Sequence, residues 1–261
     1  MKKIAIIGYG NMGKAHIKNI ASLPGQFTVD TVYDINPVVR DAARADGFDV
    51  CESLESLTKR NDVDICLVAT PNDSHKSISI TCLSAGKHVI CEKPVALNAE
   101  ELAEILAVAH VFNRVFTVDQ NRRWDRDYLT VKALYRQETV QPIFIDSRIQ
   151  GSHGFPDNWF SRKENGGGML MDWGVHLIDQ LLDMVDDTVV QVYAQAVYLP
   201  GKECEENVKV LLRFYGGVCG QLQMDTRCYE KLPRWHVMYP DKTAVIRDFG
   251  DAGRLYYNGG R

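Results

Sequence analysis

A doubly wound α/β domain followed by an α+β domain is the fold class this sequence predicts, and three observations carry it. Residues 1 to about 120 alternate short runs rich in Val and Ile with longer segments of helical period, as a parallel sheet with crossover helices requires. The first run, Lys3 to Ile7, leads straight into Gly8-Tyr9-Gly10-Asn11-Met12-Gly13 and then into a helical segment. After Asn121 the alternation stops, and strand-like runs follow one another with few helices. The boundary predicted from this change divides the chain into residues 1–120 and 121–261.

The glycine loop has the form of a phosphate cradle. Gly8 permits the tight turn, Gly10 lets backbone approach a pyrophosphate, and Gly13 lets the helix pack closely on the strand. The helix opens at about Asn11 and Met12, whose region presents backbone N–H groups and the positive end of the helix dipole to an anion. A second run, Phe27 to Tyr33, ends in Asp34, about 20 residues beyond Gly13, the separation at which an acid meets an adenosine ribose. Asp34 would also serve as a turn residue before Asn36 and Pro37. Strand, glycines and acid in register favour a dinucleotide, and an ionised Asp34 repels a ribose 2′-phosphate, so NAD is expected over NADP. Arg40 is the one nearby group that would accommodate such a phosphate.

Four further strands complete the predicted sheet: Asp49 to Cys51, Asp64 to Ala69, His88 to Cys91 and Val115 to Val118. Asn98, with Glu101 three residues on, marks the start of the last helix between them. Ligands of such sheets bind beyond the carboxyl ends of the strands, where two short stretches stand. Thr70-Pro71-Asn72-Asp73-Ser74-His75 reads equally as a cofactor contact and as the turn entering the next helix, with Asp73 or Ser74 as its N-cap. In Glu92-Lys93-Pro94 the proline holds Lys93 extended just past a strand, near the expected cofactor; a solvated strand-end lysine is the plainer alternative.

In the second half a helix from Asp127 to Gln137 precedes a strand from Ile143 to Ile149. One helix, from about Met169 to Val185, enters through Gly166-Gly167-Gly168. Strands follow at Val189 to Tyr198, Val208 to Tyr215, Val218 to Asp225 and Trp235 to Tyr239, with Gly216-Gly217 as a hairpin turn. Asp172 and His176 stand four apart on the glycine-led helix, which puts them on one face with Cβ atoms about 6 Å apart. Each also has a structural reading, Asp172 as an acid favouring the helix N-terminus and His176 as a packed histidine.

Composition excludes several classes. Of 261 residues, 45% are hydrophobic and 25% charged, with a net charge of −4 and a pI of about 6.0, which suits a globular chain and disfavours nucleic acid. No apolar run approaches a membrane span. Met1-Lys2-Lys3 leads directly into the first strand without room for a signal peptide, so a cytoplasmic protein is expected. Seven cysteines, none paired at metal-binding or redox spacing, read mainly as small core residues, and no metal is expected. The basic and aromatic stretch Arg122-Arg123-Trp124-Asp125-Arg126 contains an acid and suits a small polar ligand.

Together these features resemble the Gfo/Idh/MocA family of sugar and polyol oxidoreductases. The glycine fingerprint, Thr70-Pro71-Asn72, Glu92-Lys93-Pro94, and Gly166-Gly167-Gly168 followed by Asp172, Gly174, His176 and Asp179 match its pattern in type and order. The resemblance covers nearly the whole chain. It implies a Rossmann domain followed by an open-faced, mostly antiparallel sheet, NAD as cofactor, hydride transfer with a secondary alcohol of a sugar or polyol, and homo-oligomers paired through the open face. It also implies that Lys93, Asp172 and His176 face the substrate, with Arg122, Arg123 and Trp159 lining its cleft. A non-catalytic NAD-binding regulator and an NAD-dependent glycoside hydrolase are the alternatives the same resemblance leaves. Members of the family are usually longer, whereas this chain stops at Tyr256-Tyr257-Asn258-Gly259-Gly260-Arg261, which leaves a short variant and a truncated chain both open.

Overall fold

The computed structural model describes residues 1–257; the last four residues of the C-terminal run, 258–261, lie outside the described residues. The chain divides into two units, Met1–Asp119 and Gln120–Arg261.

The first unit alternates strand and helix: β1 (Lys2–Ile7), α1 (Asn11–Ala21), β2 (Phe27–Tyr33), α2 (Pro37–Ala45), β3 (Asp49–Val50), α3 (Leu54–Thr58), β4 (Ile65–Val68), α4 (His75–Ser84), β5 (His88–Cys91), α5 (Ala99–Val111) and β6 (Phe116–Val118). Its six strands are all parallel in the order β3-β2-β1-β4-β5-β6, so strand order reverses between β1 and β4. A parallel strand covered on both faces reads as a continuous apolar run, and Ile4 through Ile7 are all buried. Alternation sends Ala5 and Ile7 into one core with Cys66, Val68, Val89 and Cys91, while Ile4 and Ile6 enter the other with Val32 and Leu67. Cys66, Cys82 and Cys91 are thus core residues, and all seven cysteines are free.

Helix starts in this unit follow local chemistry. The Asn98 side chain accepts the Glu101 N–H at 2.8 Å, while Glu101 accepts the N–H of Leu97 at 3.0 Å. Asn36 caps α2 by accepting from Val38, with Pro37 in the first turn. By contrast, α1 starts at Gly10 with no side-chain cap and no acid in its first turn.

The second unit contains α6 (Arg126–Gln137), β7 (Phe144–Gln150), α7 (Val175–Val185), β8 (Val189–Val197), β9 (Asn207–Phe214), β10 (Cys219–Asp225), β11 (Trp235–Met238), β12 (Lys242–Ile246) and β13 (Arg254–Tyr257). The strands form a seven-stranded sheet, β13-β12-β11-β7-β10-β9-β8, antiparallel except for the parallel pair β7 and β10. Strand β9 alternates: Val208, Val210, Leu212 and Phe214 are buried, and Lys209, Leu211 and Arg213 are exposed. The buried row packs with Tyr128 and Val131 of α6 and with Leu177, Leu181, Met184 and Val185 of α7, each worth about 1.5–3 kcal/mol when fully buried. Exposed apolar side chains remain at Tyr193, Leu211 and Phe144.

Two features differ from the sequence reading. Strands β12 and β13 extend the sheet beyond the last predicted strand; at five and four residues, with their apolar residues consecutive, they are too short to show a period in the sequence. The predicted single helix from about Met169 to Val185 is a wide π turn, Leu170–Gly174, running into α7. Within that turn Leu170 folds back over Gly174, where a Cβ would meet Leu170 Cδ1 at 2.7 Å. Asp172 therefore belongs to the π turn and His176 to the α-helix, so regular α-helical spacing does not relate them. Among the described residues no helix is long and apolar enough to cross a membrane.

Candidate functional site

The glycine loop is built as its chemistry requires. Gly8 has φ +97°, and a Cβ there would lie 2.4 Å from the carbonyl oxygen of Ala69. A Cβ at Gly13 would lie 2.0 Å from the carbonyl oxygen of Gly8, so the helix sits directly on the loop. At Gly10 the corresponding position faces open space, as close approach of a ligand needs. Asn11 and Met12 begin α1, whose first N–H groups have no side-chain cap. Asp34 braces the loop: its Oδ2 accepts the N–H of Tyr9 at 2.9 Å and its Oδ1 that of Asn36 at 2.8 Å. Behind it, Arg40 donates to the carbonyls of Asp34 and Ile35 and lies 3.4 Å from Glu52. These residues, with the uncapped helix, fit a pyrophosphate and a ribose diol.

The next two stretches are tied together by a histidine to which sequence reasoning gave no role of its own. Fully buried His75 has one ring nitrogen 2.8 Å from the carbonyl of Thr70 and the other 2.8 Å from that of Pro94. It spans the loops that carry Thr70-Pro71-Asn72 and Glu92-Lys93-Pro94. Ser74 donates to Thr70 Oγ1 at 2.7 Å, and Asn72 is buried. The buried carboxylate of Glu92 is shared between His16, 2.7 Å from Oε1, and the N–H of Lys93, 3.2 Å from Oε2. Asp119 completes this cluster, 3.7 Å from His16 Nε2. A 2.7 Å separation is that of a hydrogen bond, whereas two tetrahedral ligands of one ion lie about 3.3 Å apart. Neither His16 nor Asp119 stood out in sequence, since each is distant in the chain from its partners.

In the second unit the glycine run is dictated by crowding. A Cβ at Gly167 would meet the carbonyl of Phe160 at 2.1 Å, and one at Gly168, whose φ is +109°, would meet the Glu205 carboxylate at 2.5 Å. The π turn that follows carries Asp172, and buried His176 lies in the first turn of α7 in a T-shaped contact with Trp173, ring centroids 5.7 Å apart. Arg122 stacks over Trp173 at 4.8 Å and over Phe249 at 5.4 Å, and donates to Asp125 at 3.1 Å. Arg122 thus shares a neighbour, Trp173, with His176. Arg123 is instead held by a two-pronged pair with Asp179, at 2.7 and 2.6 Å, whose hydrogen bonds and charge push the guanidinium pKa further up. Trp159 is placed by a stack on Phe160, centroids 3.7 Å apart.

Comparison with known proteins matches residues 2–120 to the oxidoreductase family with an NAD-binding Rossmann fold, GFO_IDH_MocA, and residues 127–245 to the GFO/IDH/MocA C-terminal domain. The chain belongs to the Gfo/Idh/MocA family. Its relatives in the family include the uncharacterized oxidoreductase YdgJ of Escherichia coli K12, 29% identical over 81% of this chain and 62% of that protein. The scyllo-inositol 2-dehydrogenase (NADP(+)) IolW of Bacillus subtilis is 29% identical over 70% of this chain and 51% of that protein. The chain thus spans between about half and two thirds of the length of these two curated relatives. Among solved structures of the family fold, an NAD-binding protein from Listeria innocua is 41% identical with a TM-score of 0.93, covering 97% of this chain and 75% of that one.

Proposed function

We propose that this family member is an NAD-dependent dehydrogenase that moves a hydride between the cofactor and a secondary alcohol of a sugar, polyol or sugar derivative. The observation that carries the reading is the uncapped start of α1, packed through Gly13 on the Gly8 carbonyl, with Asp34 accepting the N–H of Tyr9 in the same loop. Gly8, Gly10, Asn11, Met12 and Gly13 would hold the pyrophosphate, Asp34 the ribose diol, and Thr70, Pro71, Asn72 and Glu92 the strand-end side of the cofactor. The nicotinamide supplies the hydride acceptor. NAD is preferred to NADP because a carboxylate at Asp34 repels a 2′-phosphate and because Arg40 is already engaged by two carbonyls and Glu52.

Alcohol oxidation also needs a proton acceptor and a cation beside the developing alkoxide. His176 takes the proton, since an imidazole titrates near neutral pH. Asp172, in the π turn that leads into the same helix, orients His176 or the substrate hydroxyls. Lys93, whose N–H is fixed by Glu92, donates to the reacting oxygen and stabilises its charge. Arg122 with Trp173, Arg123 and Trp159 are the substrate-recognition candidates, Arg122 foremost because Arg123 is taken by Asp179.

The chain is further proposed to be cytoplasmic, in keeping with its seven free cysteines, and to self-associate through the outer face of the seven-stranded sheet. The deciding experiment is NADH formation with a panel of sugars, inositols and nucleotide sugars; no NADH across the panel, with NAD bound, would overturn the dehydrogenase, and release of an aglycone would then separate a glycoside hydrolase from a binding protein.

A further inference from the structure

Glu205, in the loop between β8 and β9, reaches the start of the π turn with a buried carboxylate. Its Oε1 accepts the N–H of Leu170 at 2.9 Å, and its main-chain carbonyl accepts that of Met169 at 3.2 Å. The first N–H groups of a helical segment lack partners within it. Here one residue from another element takes two of them in succession. Gly168 closes the arrangement, because a Cβ there would stand 2.5 and 2.6 Å from the two carboxylate oxygens. The last glycine of the run before Asp172 thus leaves space that a carboxylate of the same chain fills. From Gly168 the hydrogen bonding continues directly to the site, since its carbonyl accepts the N–H of Asp172 at 2.9 Å. Neighbouring Glu206 is occupied elsewhere, with Thr226 at 3.0 Å and Arg227 at 3.4 Å.

We propose that Glu205 is a positioning residue for Asp172 and His176, holding the start of the π turn and thereby the direction in which both side chains are presented. The proposal rests on the roles given to Asp172 and His176 above. A misplacement of about 1 Å at reacting groups costs on the order of a hundredfold in rate, so a loosened turn should be read in kcat. Glutamine keeps the side chain's length and an Oε1 acceptor for Leu170, whereas alanine loses both, and methionine fills the space without an acceptor, so only methionine should behave as alanine does if the hydrogen bond holds the turn.

Two measurements on the full chain test it. In the wild-type protein, NMR amide exchange should find the Leu170 amide protected despite its place at a helix start; an unprotected Leu170 overturns the proposal without any variant. In Glu205→Ala, the Leu170 and Asp172 amides should exchange at least about tenfold faster while those of β9 and β10 do not change. Its kcat should fall by about tenfold to a hundredfold with the NAD dissociation constant unchanged, and Glu205→Gln should restore both. Wild-type exchange in Glu205→Ala, or faster exchange with an unchanged kcat, overturns the proposal. If the wild-type protein turns over no substrate, the proposed function fails instead, and the exchange data alone decide whether Glu205 holds the turn.

Discussion

His16 Nε2 lies 2.7 Å from Glu92 Oε1, joining the helix after the glycine loop to the strand end that carries Lys93. Burial opposes charge on this imidazole, but the hydrogen bond to Glu92 and the charges of Glu92 and Asp119 outweigh it and hold the His16 pKa above its ordinary value. Asp119 is itself pushed up, first by burial and then by the charge of Glu92.

Both shifts have one sign. A histidine raised in the folded state contributes stability that is complete below about pH 6.5 and is lost as pH rises through its folded pKa; a raised carboxyl likewise loses its contribution from about pH 4 upward. The urea midpoint of the wild-type chain should therefore fall as pH rises through and above neutrality. His16→Gln should flatten that fall, and identical slopes in both proteins would show that the contact carries no linked proton.

Cofactor preference tests Asp34. NAD should bind more tightly than NADP, and Asp34→Asn should narrow the difference by removing the charge while keeping an acceptor oxygen for a backbone N–H. Asp34→Ala should in addition weaken both nucleotides, since it frees the Tyr9 and Asn36 amides. Titration showing NADP the tighter ligand of the wild-type chain would reverse the assignment.

His176→Ala should lower turnover by about two to four orders of magnitude and remove the acidic limb of its pH profile, leaving NAD affinity nearly unchanged. If that limb survives in His176→Ala and vanishes in Lys93→Ala, the lysine is the base.

Gly13→Ala places a methyl group where the Gly8 carbonyl stands, so the loop and helix must part. We expect about 1–3 kcal/mol or more of lost stability in denaturant, with NAD binding below detection. A Gly13→Ala protein with wild-type affinity would show that close packing at this point is dispensable.

Association is read by light scattering. Tyr193 and Leu211 pair across β8 and β9 on the exposed face, and Leu211→Glu with Tyr193→Glu should reduce an oligomer to the single-chain mass of 29.4 kDa. A wild-type chain that already scatters at that mass over a wide concentration range would rule the interface out.

What the sequence determined by itself is what lies close along the chain: the six parallel strands, the glycine loop entering α1, the Asn98 cap and the Gly216-Gly217 hairpin, all of which follow from periodicity and from residues within a few positions of each other. The family motifs supplied the expected roles of Lys93, Asp172 and His176. The tertiary structure alone decided that Asp34 braces Tyr9, that His75 spans Thr70 and Pro94, that His16 meets Glu92, and that Glu205 enters the space left by Gly168. It also replaced the expected regular helix around Asp172 with a π turn. The physical reason is common to these cases: each contact depends on where separate elements are brought by packing, and a polar partner distant in the chain leaves no period in the sequence to announce it.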